Sequence, residues 1–139
     1  MINNFRGKYY FLSNFYSSNV EYEGLTYLNN ESAFQSAKLK EVKDREEFCS
    51  LDPSTAKRKG RHVKLRDDWE EVKYNIMHDI VYAKFSQNLD LKKKLLATEG
   101  EYLEEGNTWG DKIWGTVNGI GENNLGKILM QVREELREE

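Results

Sequence analysis

The stretch from Asp67 to Gln87 constrains the fold more than any other. Trp69, Val72, Ile76, Ile80, Ala83 and Phe85 recur mostly at intervals of three or four, and Met77 and Val81 widen the stripe. That is the spacing of one buried helix face, so the rest of the chain must supply elements to cover it. Asp67 or Asp68 is placed to cap the helix. A helix over 67–87 is therefore the expected core element. Trp69, in its first turn, either packs or faces a cleft. His78 has no ligand partner nearby in the sequence and reads as structural.

The partners of this helix are shorter. Residues 1–19 mix aromatic and small polar residues without a clean period, which predicts an irregular segment or a short strand. Residues 20–28 alternate Val20, Tyr22, Leu25 and Tyr27 with polar positions around Glu23-Gly24, the pattern of a β-hairpin. Helices are expected at about 30–41, 43–50 and 53–59. The third starts at Pro53 with Asp52 as cap and ends at Gly60 as a C-cap. Leu89, Leu91, Leu95 and Leu96 predict a helix over 89–98. Tyr102 to Gly106 reads as a strand and turn, and Leu125, Ile128, Leu129, Val132 and Leu136 predict a last helix over 123–137. The expected fold is α+β: one mostly helical domain over residues 1–139 with a small antiparallel β element.

Composition narrows the function classes. With 139 residues there is room for one real core and little more. A net charge of -3 argues against gripping nucleic acid by bulk electrostatics. One cysteine, Cys49, excludes an internal disulfide and suits a reducing cytoplasm. With His62, His78 and Cys49 as the soft ligands, no zinc site is expected, and no cofactor is called for; carboxylates leave magnesium open. No apolar run approaches the roughly 20 residues that span a bilayer, and the first residues carry no apolar signal segment. A cytoplasmic protein is the expectation.

Three stretches carry candidate chemistry. In Asn29-Asn30-Glu31-Ser32-Ala33-Phe34-Gln35-Ser36-Ala37-Lys38, either Asn29 or Asn30 can cap a helix. Glu31 and Lys38 then fall two turns apart on nearly one face. On spacing alone this is the pattern of a solvated pair, and a catalytic pair has the same spacing. Lys57, Arg58, Lys59, Arg61, His62, Lys64 and Arg66 form the one dense basic cluster: a solvated helix end, or a phosphate or nucleic-acid contact. Finally, Trp109-Gly110-Asp111 and the glycine-rich run Gly119 to Gly126 are poor helix interior and good loop material. Gly121 and Asn123 lead into a helix N-terminus, where backbone N–H groups can hold a phosphate. Ser13 and Asn14 are candidate polar contacts at a pocket rim.

Taken in order, Phe11-Leu12-Ser13-Asn14-Phe15, Glu31 to Lys38, Gly60-Arg61, Asp68 to Lys73, Met77, Lys84-Phe85, Leu95 to Thr98, Trp109-Gly110-Asp111 and Asn123 to Met130 resemble the YbiA-like family, also called the NADAR family. They cover nearly the whole chain. The resemblance implies a compact, largely helical α+β domain that cleaves N-glycosidic bonds. Substrates in the family are ribosylamino-pyrimidine phosphates of riboflavin synthesis and ADP-ribose attached to guanine in nucleic acid. By position it points to Glu31, Lys38 and Asp111 as catalytic residues, with Lys38 matching a lysine implicated in attacking the ribose anomeric carbon. It also points to Trp69 and Trp109 in the active site. Ser13, Asn14, Arg61, Gly121 and Asn123 join them as expected substrate contacts.

The chemistry suits these residue types. Breaking the bond leaves positive charge on the ribose and negative charge on the base, so the site needs a carboxylate, a proton donor and stacking surfaces. Glu31 or Asp111 supplies the first two, and the indoles supply the third. A lysine nucleophile requires a neutral amine, which desolvation favours and a nearby Glu31 opposes. The expected partner is a nucleotide-type small molecule or ADP-ribosylated nucleic acid. The alternatives are a non-catalytic ADP-ribose or NAD-derived nucleotide-binding module, and a basic-patch nucleic-acid adaptor.

Overall fold

The computed structural model describes all residues 1–139. Its contacts divide the chain into two compact units, a central one over Asn14–Gln87 and a terminal one made of Met1–Ser13 and Asn88–Glu139. The architecture is α+β and largely helical, with a two-stranded antiparallel sheet. No helix is long and apolar enough to cross a membrane.

In the central unit, β1 (Ser17–Tyr22) pairs with β2 (Leu25–Asn29), with Val20 opposite Tyr27 and Tyr22 opposite Leu25. The connecting Glu23 and Gly24 both take positive φ, 50° and 87°. That is what a two-residue hairpin turn needs to follow the strand twist. A glutamate is costly there, and Arg45 compensates by pairing with its Oε1 at 2.5 Å. Val20 and Tyr27 are wholly buried.

The chain then enters α1 (Asn30–Ser36). Asn29 caps it, accepting from the Ser32 N–H at 2.8 Å, so the first of the two candidate caps is the one used. All seven residues of α1 are buried. It packs on both strands, on α3 (Pro53–Gly60), on α4 (Trp69–Gln87) and on a 3-10 turn at Glu46–Phe48. Between them lies the one-turn α2 (Val42–Arg45), so the expected helix over 43–50 is an α turn followed by a 3-10 turn. Asp52 caps α3 through the Thr55 N–H and hydroxyl, with Pro53 in the first turn as expected.

Helix α4 buries Trp69, Ile76, Met77, Ile80, Val81 and Phe85, while the expected Val72 and Ala83 are half-buried. Its surprise is Lys84, only 1% exposed, with its ammonium group over the Tyr16 and Phe85 rings at 5.3 and 5.0 Å. Asp68 does not spend its carboxylate on capping. It takes the Arg66 guanidinium through both oxygens, at 2.6 and 3.2 Å.

In the terminal unit, the aromatic segment expected to be irregular or a strand forms a 3-10 helix over Gly7–Leu12. Expected strand 102–106 is reduced to isolated bridges, Leu103 with Ile2 and Gly106 with Thr116. Helices α5 (Leu89–Leu96) and α6 (Asn124–Arg137) pack together. Leu95, Leu103, Leu129, Val132 and Leu136 are essentially inaccessible. Arg133 is buried as well, donating to the Thr98 hydroxyl at 2.9 Å and the Glu101 carbonyl at 2.8 Å.

Candidate active site

Of the residues singled out in the sequence, Asn14, Glu31, Lys38, Arg61 and Trp69 lie in the central unit. Ser13, Trp109, Asp111, Gly121 and Asn123 lie in the terminal unit.

Glu31 occupies the first turn of α1, where the helix dipole favours a carboxylate. It is 8% exposed, and its Oε2 accepts a 2.6 Å hydrogen bond from Gln35 Nε2, one turn on. Its backbone N–H donates to the Asn14 carbonyl at 3.0 Å. Asn14 is buried; its amide lies 3.4 Å from Met77 Sδ, and its Oδ1 accepts from Asn30 at 3.4 Å. Asn14 therefore locates the start of α1 by its backbone and its amide together.

Lys38 is not on α1. The helix ends at Ser36, five residues before the expected end, so Glu31 and Lys38 do not share a helical face. Past Ser36 the chain tightens into i→i−3 bonds, Lys38 N–H to Gln35 O at 3.2 Å and Leu39 N–H to Ser36 O at 3.0 Å. The carbonyls of 37–39 then accept from arginines farther along the chain. Arg66 donates its guanidinium to Ala37 O and its N–H to Lys38 O, and Arg45 Nε donates to Leu39 O at 2.7 Å. Two members of the basic and charged segments thus fix the turn that carries Lys38. The lysine amine reaches the Gly60 carbonyl at 3.1 Å. Burial pulls the Lys38 pKa below its ordinary value, Glu31 pushes it up, and the Arg61 charge adds to the lowering. Glu31 and Arg61 therefore each act on Lys38 electrostatically.

Gly60 is not the left-handed C-cap expected. It is the last residue of α3, Arg61 is the cap, and its φ is not positive. Arg61 itself is exposed. Trp69 is 6% exposed and rests on Phe34, ring centroids 5.1 Å apart at 52°. Its indole is chiefly packing for α1 and α4.

In the terminal unit, Trp109 is 56% exposed. Asp111 holds its own loop: Oδ1 accepts from the Ile113 and Trp114 N–H groups at 3.0 and 2.9 Å, and its N–H donates to Asn107. The second carboxylate oxygen makes no such bond. Ser13 is half-buried. The glycine-rich turn does not present a phosphate cradle. The N–H groups of Glu122, Asn123, Asn124 and Leu125 all donate to carbonyls of residues 112–115. Gly121, at φ 149°, lies so near the Gly115 carbonyl that an added Cβ would sit 2.4 Å from it. Asn123 uses its amide to hold Leu103 and Glu105. These residues build the loop, and the N–H groups of 122–125 are spent within it. A separate cavity of about 400 Å³ in this unit is bordered by Asn3, Asn4, Arg6 and Asn118, and of the candidate loop only Gly119 reaches it.

Gln35, Arg45 and Arg66 were not anticipated at this site. The Glu31–Gln35 spacing of four was the available signal, since such residues are neighbours on a helix. Nothing local announces that Arg66 and Arg45 bind the 37–39 carbonyls.

Comparisons with known proteins agree with one another. The profile described as the NADAR domain matches residues 3–137. An N-glycosidase YbiA of Shigella flexneri is 40% identical over 128 residues, covering 89% of this chain and 79% of that protein. A riboflavin biosynthesis protein of Vibrio vulnificus is 37% identical over 132 residues, covering 92% of this chain and 36% of that protein. The NMR structure of the Escherichia coli protein YbiA superposes with a TM-score of 0.86 at 38% identity, over 99% of this chain and 85% of the other.

Proposed function

The chain belongs to the NADAR family, and from that premise we propose that it hydrolyses the N-glycosidic bond between ribose and a base in a nucleotide-type substrate. An N-glycosyl hydrolase is what its relatives' names support; the substrate is our reading. The two candidates are ADP-ribosylated guanine in nucleic acid and a ribosylamino-pyrimidine phosphate. The observation that carries the reading is the buried Glu31 carboxylate, oriented by Gln35, with the partly desolvated Lys38 amine inside its field.

In this reading the C1′–N bond breaks with its electron pair leaving on the base nitrogen, and positive charge develops on the ribose. Glu31 stabilises that charge. Lys38, when neutral, adds its lone pair to C1′; the C1′–O4′ bond then breaks with its pair on O4′, which takes the proton given up by the lysine nitrogen, and water hydrolyses the resulting imine to the free sugar and the amine. Its lowered pKa enlarges the neutral fraction. Asp111 is proposed as a second catalytic carboxylate and Trp109 as the stacking surface for the base, which takes its proton from water as it departs. Asn14, Ser13 and Arg61 are proposed to contact the substrate, and Trp69 to back α1. The whole chain, 1–139, is proposed to act as one domain of a cytoplasmic enzyme.

Two experiments test this. Purified protein incubated with each substrate class is assayed for free base; binding to both without base release would establish a binding module instead. Borohydride added during turnover should trap a sugar adduct on Lys38. Arg61→Ala removes a charge that lowers the Lys38 pKa. The alkaline rise of trapping should therefore move to higher pH, and an unmoved profile would remove Arg61 from this role.

A further inference from the structure

We propose that Gly60 is a positioning residue for the Glu31 carboxylate, acting through Gln35. The proposal rests on the reading of Glu31 as catalytic and extends it to a residue on a different helix.

Gly60 closes α3 with ordinary helical backbone, so its conformation does not call for glycine. Its surroundings do. A Cβ added there would sit 1.9 Å from Gln35 Oε1, 2.6 Å from Gln35 Cδ and 3.1 Å from Gln35 Cβ. The first two are inside any real contact distance, and the third leaves the base of the side chain little room to retreat. Gln35 is itself 7% exposed. Its Nε2 is committed to Glu31 at 2.6 Å, while its Oε1 is buried without a hydrogen-bond donor. The direction of the missing Cβ is occupied in glycine by the second α-hydrogen. That hydrogen points at Oε1, a weak C–H···O contact in place of a conventional donor. The reverse amide orientation would set Oε1 against a carboxylate oxygen. Amide orientation, the open face of Gly60 and the Glu31 bond therefore specify one another.

The same residue serves the other candidate. Gly60 O accepts from Lys38 Nζ. One glycine on α3 thus meets the carboxylate's holder with its Cα and the lysine with its carbonyl. A methyl group at Gly60 would press the Gln35 amide away from Glu31 while leaving the carbonyl in place. It would also favour the helix, because alanine loses less backbone freedom than glycine on folding. A loss caused by Gly60→Ala therefore cannot be ascribed to a weaker α3.

The test compares wild type, Gly60→Ala, Gln35→Ala and the double variant. The Glu31 carboxyl is followed by carbon NMR during pH titration alongside base release. A hydrogen bond from Gln35 favours the ionised carboxylate, so Gly60→Ala and Gln35→Ala should both move the Glu31 titration to higher pH. The acid limb of kcat/KM should move with it. Gly60→Ala should lower kcat at least about tenfold with KM nearly unchanged. In the Gln35→Ala background the amide is gone and only the 3.1 Å contact with Cβ remains, so Gly60→Ala should add much less than it does alone. An unmoved Glu31 titration in Gly60→Ala overturns the proposal, whether or not kcat falls. So does full additivity of the two losses. If wild type releases no base, the NMR titration still decides the positioning claim, and only the catalytic reading of Glu31 fails.

Discussion

Glu31→Gln is expected to abolish base release by about 100- to 10,000-fold in kcat while the protein stays folded. The substitution keeps the size of the side chain, and its amide oxygen can still accept from Gln35 Nε2, which lies 2.6 Å from Glu31 Oε2. What it removes is a negative charge held in a buried site, where an electrostatic contribution to an oxocarbenium-like state is far larger than in water. The loss should fall on kcat, because the charge it stabilises exists only as the bond breaks. Substrate binding, measured separately, should change little. Lys38 supplies an independent check. Glu31 raises the lysine pKa, so Glu31→Gln should lower it and increase labelling of Lys38 by an amine-reactive reagent near neutral pH. A Glu31→Gln protein that turns over at a rate close to wild type would remove Glu31 from the chemistry.

The second large effect concerns stability. Lys84 is fully enclosed, and burial alone depresses its pKa from 10.5 to about 7. The Tyr16 and Phe85 rings favour the charged form by about 1–2 kcal/mol, which does not offset removal of an ammonium group from water. The direction of the pH dependence follows. Below pH 7 the amine is protonated in both folded and unfolded chains, and the folded state bears the full cost. As pH rises through 7 the folded amine releases its proton, while the unfolded chain keeps its own until about 10.5. Stability from this group therefore rises between those limits, by on the order of 5 kcal/mol. Lys84→Met, of similar length and apolar, should be more stable than wild type at about pH 6, with most of that advantage gone by about pH 10. Urea unfolding of both proteins at the two pH values measures it. A difference that does not change with pH would show that the Lys84 amine is not held neutral by burial.

Much of the central unit was legible locally. Glu23-Gly24 between alternating residues specifies a hairpin because few residue pairs accept two positive φ angles in succession. Asp52-Pro53 marks the start of α3 by the same kind of local chemistry. The stripe from Trp69 to Phe85 specifies α4, though Lys84 takes an interior position that the apolar pattern gave no reason to assign to a charge. The candidate site was less legible. Glu31 falls where spacing and capping placed it, in the first turn of a helix started by Asn29. Lys38 does not, because the backbone leaves α-helical bonding after Ser36 and the turn that follows is held by Arg45 and Arg66 on the carbonyls of 37–39. Both arginines stand well along the chain from those carbonyls, and periodicity reports only neighbours three and four apart. The glycine-rich turn likewise matched a phosphate loop in composition, yet the N–H groups of Glu122 to Leu125 are spent on residues 112–115.

By itself, then, the sequence determined where α3 to α6 and the hairpin lie, since caps, turn residues and apolar spacing act within a few residues. Its ordered motifs, and the residue types they place at Glu31, Lys38 and Asp111, also determined the family. Only the tertiary structure decided how the candidate groups are held. Gln35 on Glu31, the bare face of Gly60 on Gln35, the Gly60 carbonyl on Lys38 and the burial of Lys84 each join residues from different elements, or depend on what encloses a group. Such contacts and the desolvation that accompanies them exist only once the chain has packed.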